Sequence, residues 1–321
     1  MEEPKDEFKI FTDGEFSSPI YRTKAKRVQV VYFCLDSPIG TYNHAKQRIR
    51  VDIKASQLYG KEVDIDVFRF DRFYRDRFYD KIKVDEKDKP QMKVEIFKNY
   101  TCEEVDEVFE VLGKNAHKFD AYFFHFFTYL QVGERGKAVN RHLKDYRLQF
   151  YDRAIPLDHI FDKIKACPSM ALKPKIFFVQ ADNLEMLQPL VIKKATPVTS
   201  ERKIPSDADI LVIMSTIPQE LASRPRRQRT ETNRPVDQPS EDSAARTGAE
   251  TRLKQCSILV QAIVDILEDH VFRDEDIFTN TPLILGKAKE IIDTTVFGDD
   301  YKDYDIPVPT VRSTLTKFFF F

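Results

Sequence analysis

Short runs of consecutive apolar residues alternate along this chain with stretches in which apolar residues recur every three or four positions. Val28–Leu35 (VQVVYFCL), Ala121–Leu130 and Ile176–Val179 have the length and the β-branched or aromatic content of strands buried on both faces. Ala208–Met214 reads as a further apolar strand and Val94–Phe97 as a short one. Val63–Phe70 (VDIDVFRF) alternates, which predicts a half-buried strand, and Val311–Phe321 predicts a last strand that closes the chain. Helical spacing marks Ala45–Leu58, Thr101–Leu112, Pro156–Ala166, Ser257–Leu267 and Thr281–Ile292. The second of these opens on Thr101 and Glu104, the pair that closes a capping box. Asp71–Gln91 fits either period. Strands alternating with helices predict an α/β layer fold around a mainly parallel sheet. In such a sheet, chemistry sits just past the carboxyl ends of the strands, which directs attention to Gln180–Asn183 after the Ile176–Val179 run.

Composition narrows the functional classes. The 321 residues carry a net charge of −1, so no global field draws the chain to nucleic acid or to a membrane. Cys34, Cys102, Cys167 and Cys256 show no CxxC spacing, and neither they nor the dispersed histidines cluster as metal ligands. No cofactor or metal is expected. The acidic, mixed start MEEPKDEFKIF is not a signal sequence, and the longest apolar run, Ala121–Leu130, is too short to span a bilayer. The expected location is the cytoplasm. Residues 1–20 read as a flexible tail. Residues 184–207 read as a proline-containing connector, and 225–254 as a disordered insertion rich in Arg, Thr, Pro, Ser and acidic residues.

Four ordered stretches carry a resemblance. Arg48–Leu58 (RIRVDIKASQL) resembles the R-x-G-T-x-x-D-A-x-x-L helix start of the caspases, with Arg48, Ala55 and Leu58 matching and Arg50 standing where Gly is usual. Asn99–Glu104 (NYTCEE) resembles their N-L-T-x-E-E. Cys167–Asp182 (CPSMALKPKIFFVQAD) resembles C-x-S-L-x-x-K-P-K-I-F-F-x-Q-A-C. Ile204–Arg224 (IPSDADILVIMSTIPQELASR) resembles I-P-x-x-A-D-x-L-x-x-x-S-T-x-P-G-x-x-S-x-R, and the tail from Val308 resembles the end of the small subunit. The resemblance implies a caspase-like three-layer sandwich, with a central, mostly parallel six-stranded sheet and helices on both faces. It divides the chain into a large-subunit-like part, 21–183, and a small-subunit-like part, 208–321.

It also implies which residues matter. Caspases carry a catalytic His in a Ser-His-Gly and a catalytic Cys in Q-A-C-x-G. Here Thr128, Tyr129 and Leu130 fill the first motif, so Tyr129 stands for the His, and Asp182 stands for the Cys. A carboxylate is a poor nucleophile toward a peptide, and a phenol does not replace an imidazole near neutral pH. His125 lies four residues before Tyr129 and is expected in the core. The aspartate-gripping residues of the family correspond to Arg48, Gln180 and Arg224, all retained; two guanidinium forks and an amide suit a carboxylate. Leu221, Ser223 and Ile258 stand at the flanking aromatic subsites. Asp182 is expected to reach the Arg48/Arg224 pocket as an internal mimic of a substrate aspartate.

The connector contains no Asp, so cleavage between the two parts is not expected; Asp13, Asp237 and Asp242 are the possible processing sites. The tail is too short for a helical recruitment bundle, so recruitment is expected to run through the caspase-like domain itself. The resulting expectation is a catalytically inactive caspase homologue, a pseudoprotease. It would regulate an active caspase, and so apoptosis, by pairing with it as decoy or activator, or would pair with itself. The pairing element is the C-terminal edge strand, an open template for another chain. The alternatives are a module that binds aspartate peptides in the retained pocket and, further off, a residual hydrolase.

Overall fold

The structure is a computed structural model. It describes residues 20–21, 27–35, 65–78, 91–131, 146–183, 209–218, 256–269, 271–272, 275–294 and 306–320. The predicted helix 45–58, the connector 184–207 and the insertion 225–254 lie outside the described residues.

The strands are β1 (Arg27–Cys34), β2 (Gln91–Lys98), β3 (Ala121–Gln131), β4 (Arg147–Gln149), β5 (Ala154–Pro156), β6 (Lys175–Asp182), β7 (Ile210–Ser215) and β8 (Thr310–Ser313). The helices are α1 (Ile65–Phe78), α2 (Cys102–Asn115), α3 (Leu157–Lys165), α4 (Ile258–Glu268) and α5 (Ile277–Thr294). The main sheet runs β2-β1-β3-β6-β7-β8. Its pairs are parallel except β7–β8, which is antiparallel at the edge. A hairpin of β4 and β5 is fastened to the end of β3 through Leu130 and Gln131. This is the expected α/β sandwich.

Strand parity sorts the core into two layers. Val30, Tyr32, Phe123, Phe127, Ile176, Phe178, Leu211 and Ile213 face one side and pack with α1, α4 and α5. Val31, Phe33, Phe124, Phe126, Phe177, Val179 and Val212 face the other and pack with α2, α3 and the hairpin. Because both faces are covered, the central strands read as continuous apolar runs. The phenylalanines stack across strands: Phe124 on Phe177 at 4.9 Å and Phe33 on Phe126 at 5.0 Å between ring centres. Such pairs add to plain burial.

The α2 cap is as the sequence predicts. The Thr101 hydroxyl accepts from the Glu104 backbone N–H at 3.3 Å, and the Glu104 carboxylate accepts from the Thr101 N–H at 2.9 Å. Thr101→Ala is expected to cost about 1 kcal/mol, read as a lowered denaturant midpoint at unchanged slope.

Three expectations are corrected. Within the predicted strand Val63–Phe70, the chain from Ile65 onward is the helix α1 and not a strand. Val67, Phe70 and Tyr74 fall at helical spacing and are all buried, and that face extends into the ambiguous stretch beyond Phe70. α5 starts at Ile277 rather than Thr281, because Asp276 caps it: its carboxylate accepts from the Thr279 N–H at 3.1 Å. The last strand is short. β8 ends at Ser313; Thr314 then donates its N–H to the Ile210 carbonyl and accepts from the Asp209 N–H, and the chain bends. Beyond the bend, Phe319 is fully buried against Phe123, while Phe318 is exposed. So Phe319 is core, and Phe318 alone of the two offers apolar surface.

A buried clasp fixes this C-terminal segment. Asp209, fully buried and at φ 62°, accepts from the Tyr21 hydroxyl and the Thr316 hydroxyl at 2.5 Å each. The left-handed region is one that Asp tolerates better than most residues. Ile20 forms a bridge to Phe318, so residue 20 belongs to the fold rather than to the tail.

Candidate functional site

The carboxyl ends of β3, β6 and β7 lie side by side. The ladder places Tyr129 directly opposite Asp182 in neighbouring parallel strands, about 4.8 Å apart at the backbone. Parity puts Tyr129 on the face of Phe127, and Gln180 and Asp182 on the face of Phe178, which is the same face of the sheet. The two positions singled out by sequence, remote along the chain, are therefore neighbours because parallel strands end in register.

Gln180 is the best-defined side chain of the site. It is 3% exposed. Its amide nitrogen donates to Asp182 Oδ1 at 2.5 Å and to the Ile217 carbonyl at 2.6 Å. Its Oε1 is buried without a hydrogen-bond partner. The Ile217 N–H is in turn held by the Ser215 hydroxyl at 3.2 Å, and the Asn183 N–H donates to the Thr216 carbonyl at 3.0 Å. These bonds fix the segment after β7 against the end of β6. On the other side of Tyr129, the Thr128 hydroxyl donates to the Gln149 carbonyl and ties β3 to the β4–β5 hairpin.

His125 is a core residue, as expected from its place in the run. It is fully buried, stacks on Tyr32 at 4.5 Å, and its Nε2 shares a hydrogen bond with the Tyr74 hydroxyl at 2.9 Å. Burial holds its imidazole well below the usual range, so it stays neutral. Burial also raises three thiols: Cys102 to about 12, Cys256 to about 11, and Cys167 by a smaller step. None of the three is poised as a thiolate. Cys167 lies before β6, at the opposite end from Asp182.

The structure thus brings together Tyr129, Gln180 and Asp182. Arg48, Arg224, Leu221 and Ser223, and the possible processing sites Asp13, Asp237 and Asp242, lie outside the described residues. Ile258 is buried in the first core layer. Sequence reasoning missed the Ile217 carbonyl as a partner of Gln180; a backbone acceptor leaves no mark in side-chain chemistry. Among the described residues no cluster of His, Cys, Asp and Glu is suited to a metal ion, and no helix is long and apolar enough to cross a membrane.

An α/β sandwich whose candidate site lies at the carboxyl ends of central parallel strands defines the class of fold. The caspase domain family matches residues 54–320, and the chain belongs to that family. Over 73 residues it is 37% identical to caspase-10 of Homo sapiens, a stretch covering 20% of this chain and 14% of that protein. Among solved structures, pro-Sf-caspase-1 is similar at a TM-score of 0.57 and 16% identity, over 95% of this chain and 99% of the other. Caspase-1 from Spodoptera frugiperda is similar at a TM-score of 0.52 and 16% identity, over 95% of each chain. At this identity the structural likeness speaks to the fold.

Proposed function

We propose that this chain is a non-catalytic member of the caspase family that regulates an active caspase by pairing with it through β8. The observation that carries the reading is the register pair at the carboxyl edge: Tyr129 and Asp182 supply a phenol and a carboxylate where the family resemblance places an imidazole and a thiol. Cysteine proteolysis needs a thiolate activated by a neighbouring base. The neutral, buried His125 does not supply one.

Pairing is supported by the sheet order, in which β8 is one of the two edge strands among the described residues. Thr314 bonds inward to Ile210. By the alternation of an antiparallel ladder, Arg312 also bonds inward, and Val311 and Ser313 turn their backbone groups outward. The outward groups are the template for a second edge strand, in a homodimer or with an active caspase.

The test is co-purification with active caspases from the same source, followed by their activity on aspartyl peptide reporters with and without this protein. A complex with altered caspase activity is expected, and no turnover by the chain alone. Val311→Pro removes one outward N–H without touching an inward one; it is expected to abolish the complex while the thermal melt is retained. A complex that survives Val311→Pro in a folded variant counts against β8 as the pairing element.

A second reading is favoured by the retained Gln180: the pocket binds acidic peptides without pairing. Loss of peptide binding in Arg48→Ala or Arg224→Ala would support that reading.

A further inference from the structure

We infer that Asp182 is an intramolecular ligand of the Gln180 amide, filling from within the chain the place that an acidic peptide side chain would take. The inference rests on the proposed reading of Gln180 as a carboxylate-binding residue and deepens it by naming what occupies that residue.

A primary amide has two N–H donors. In Gln180 one is committed to Asp182 Oδ1 and the other to the Ile217 carbonyl. Turning the amide over would set Oε1 against a carboxylate and a carbonyl, two acceptors, so the bonds fix its orientation. Nothing remains for an incoming carboxylate except the buried Oε1, an acceptor, which repels it.

The two bonds differ in how they open. Ile217 contributes a backbone group, and its N–H is held by Ser215. Asp182 contributes a half-buried side chain at the end of β6. It lies two residues from Gln180 on the same face of the strand, so its carboxylate is tethered beside the amide. A tethered group of this kind has an effective concentration of about millimolar or higher, which a free peptide must exceed. Position 182 therefore does more than lack a nucleophile: its carboxylate competes with an acidic peptide side chain for the Gln180 amide.

The test titrates a fluorescein-labelled tetrapeptide with a C-terminal Asp into the full chain, with the Asn peptide as control. Wild type is expected to bind the Asp peptide only weakly. Asp182→Ala frees one N–H and is expected to tighten binding about 10- to 100-fold, the worth of one hydrogen bond to a charged group. The Asn peptide should gain less, and adding Gln180→Leu should remove the gain. Thermal melts establish folding, and Asp182→Ser, too short to hold the same bond, serves if the alanine variant does not fold. A folded variant that binds no more tightly than wild type overturns the inference, as does wild type binding as tightly as the variant. Pairing is read separately by co-purification. Gain of peptide binding without a complex leaves the occupancy standing and removes the pairing; a complex without the gain does the reverse.

Discussion

A chain carrying Asp182→Cys together with Tyr129→His is expected to be alkylated at position 182 by an aspartyl halomethyl ketone about 100- to 10,000-fold faster than one carrying Asp182→Cys alone, the usual span for a positioned general base. The two positions are register partners at the ends of β3 and β6 and share a face of the sheet. An imidazole beside the introduced thiol lowers its pKa and raises the thiolate fraction. Residues that act as a unit are strongly non-additive, so Tyr129→His alone should change nothing. Intact-mass time courses with peptide mapping give the rate at each thiol. Cys102, Cys167 and Cys256, all raised by burial, serve as internal controls. Equal rates in the single and double variants would mean that an imidazole at position 129 does not act on a thiol at position 182.

The parts of this site that the sequence revealed are those tied to a strand period. Ile176–Val179 and Ala121–Leu130 are apolar because both sheet faces are covered, and their polar ends then fall at one edge. The α2 capping box was legible because it is local: both partners lie within one turn. α1 was not, because VDIDVFRF alternates while Val67, Phe70 and Tyr74 also fit a helix, and only packing against α4 and the sheet decides between the periods. The hairpin of β4 and β5 went unread, since three-residue strands give too few positions for a period. The end of β8 depended on remote partners: Thr314 meets Ile210 and Asp209, about a hundred positions away in the chain. In the site itself, Gln180 and Asp182 were visible as residues, but their bond, and the Ile217 carbonyl that completes it, required the fold.

Acid is expected to destabilise this fold through His125, and His125→Phe to remove that part of the loss. The imidazole is enclosed by Tyr32 from β1, Phe70 and Tyr74 from α1, Phe127 from β3 and Phe178 from β6. Its Nδ1 has no hydrogen-bond partner. Burial lowers its pKa well below the ordinary value, which in the unfolded chain is about 6.5. Below that pH the unfolded state takes up a proton that the folded state refuses, so stability rises with pH through this window and is lost as pH falls. The loss is at most about 1.4 kcal/mol per pH unit, or about 3 kcal/mol two units below 6.5, until the folded imidazole itself protonates. Above pH 6.5 the group contributes no pH dependence. His125→Phe also deletes the bond to Tyr74, at a cost of about 1 kcal/mol at neutral pH. The variant should therefore be less stable than wild type at pH 7.5 and more stable at pH 4.5. Urea midpoints measured across that range give the crossing directly, and the other titrating groups cancel in the difference between the two proteins. Parallel curves would show that the buried imidazole is not what limits the fold in acid.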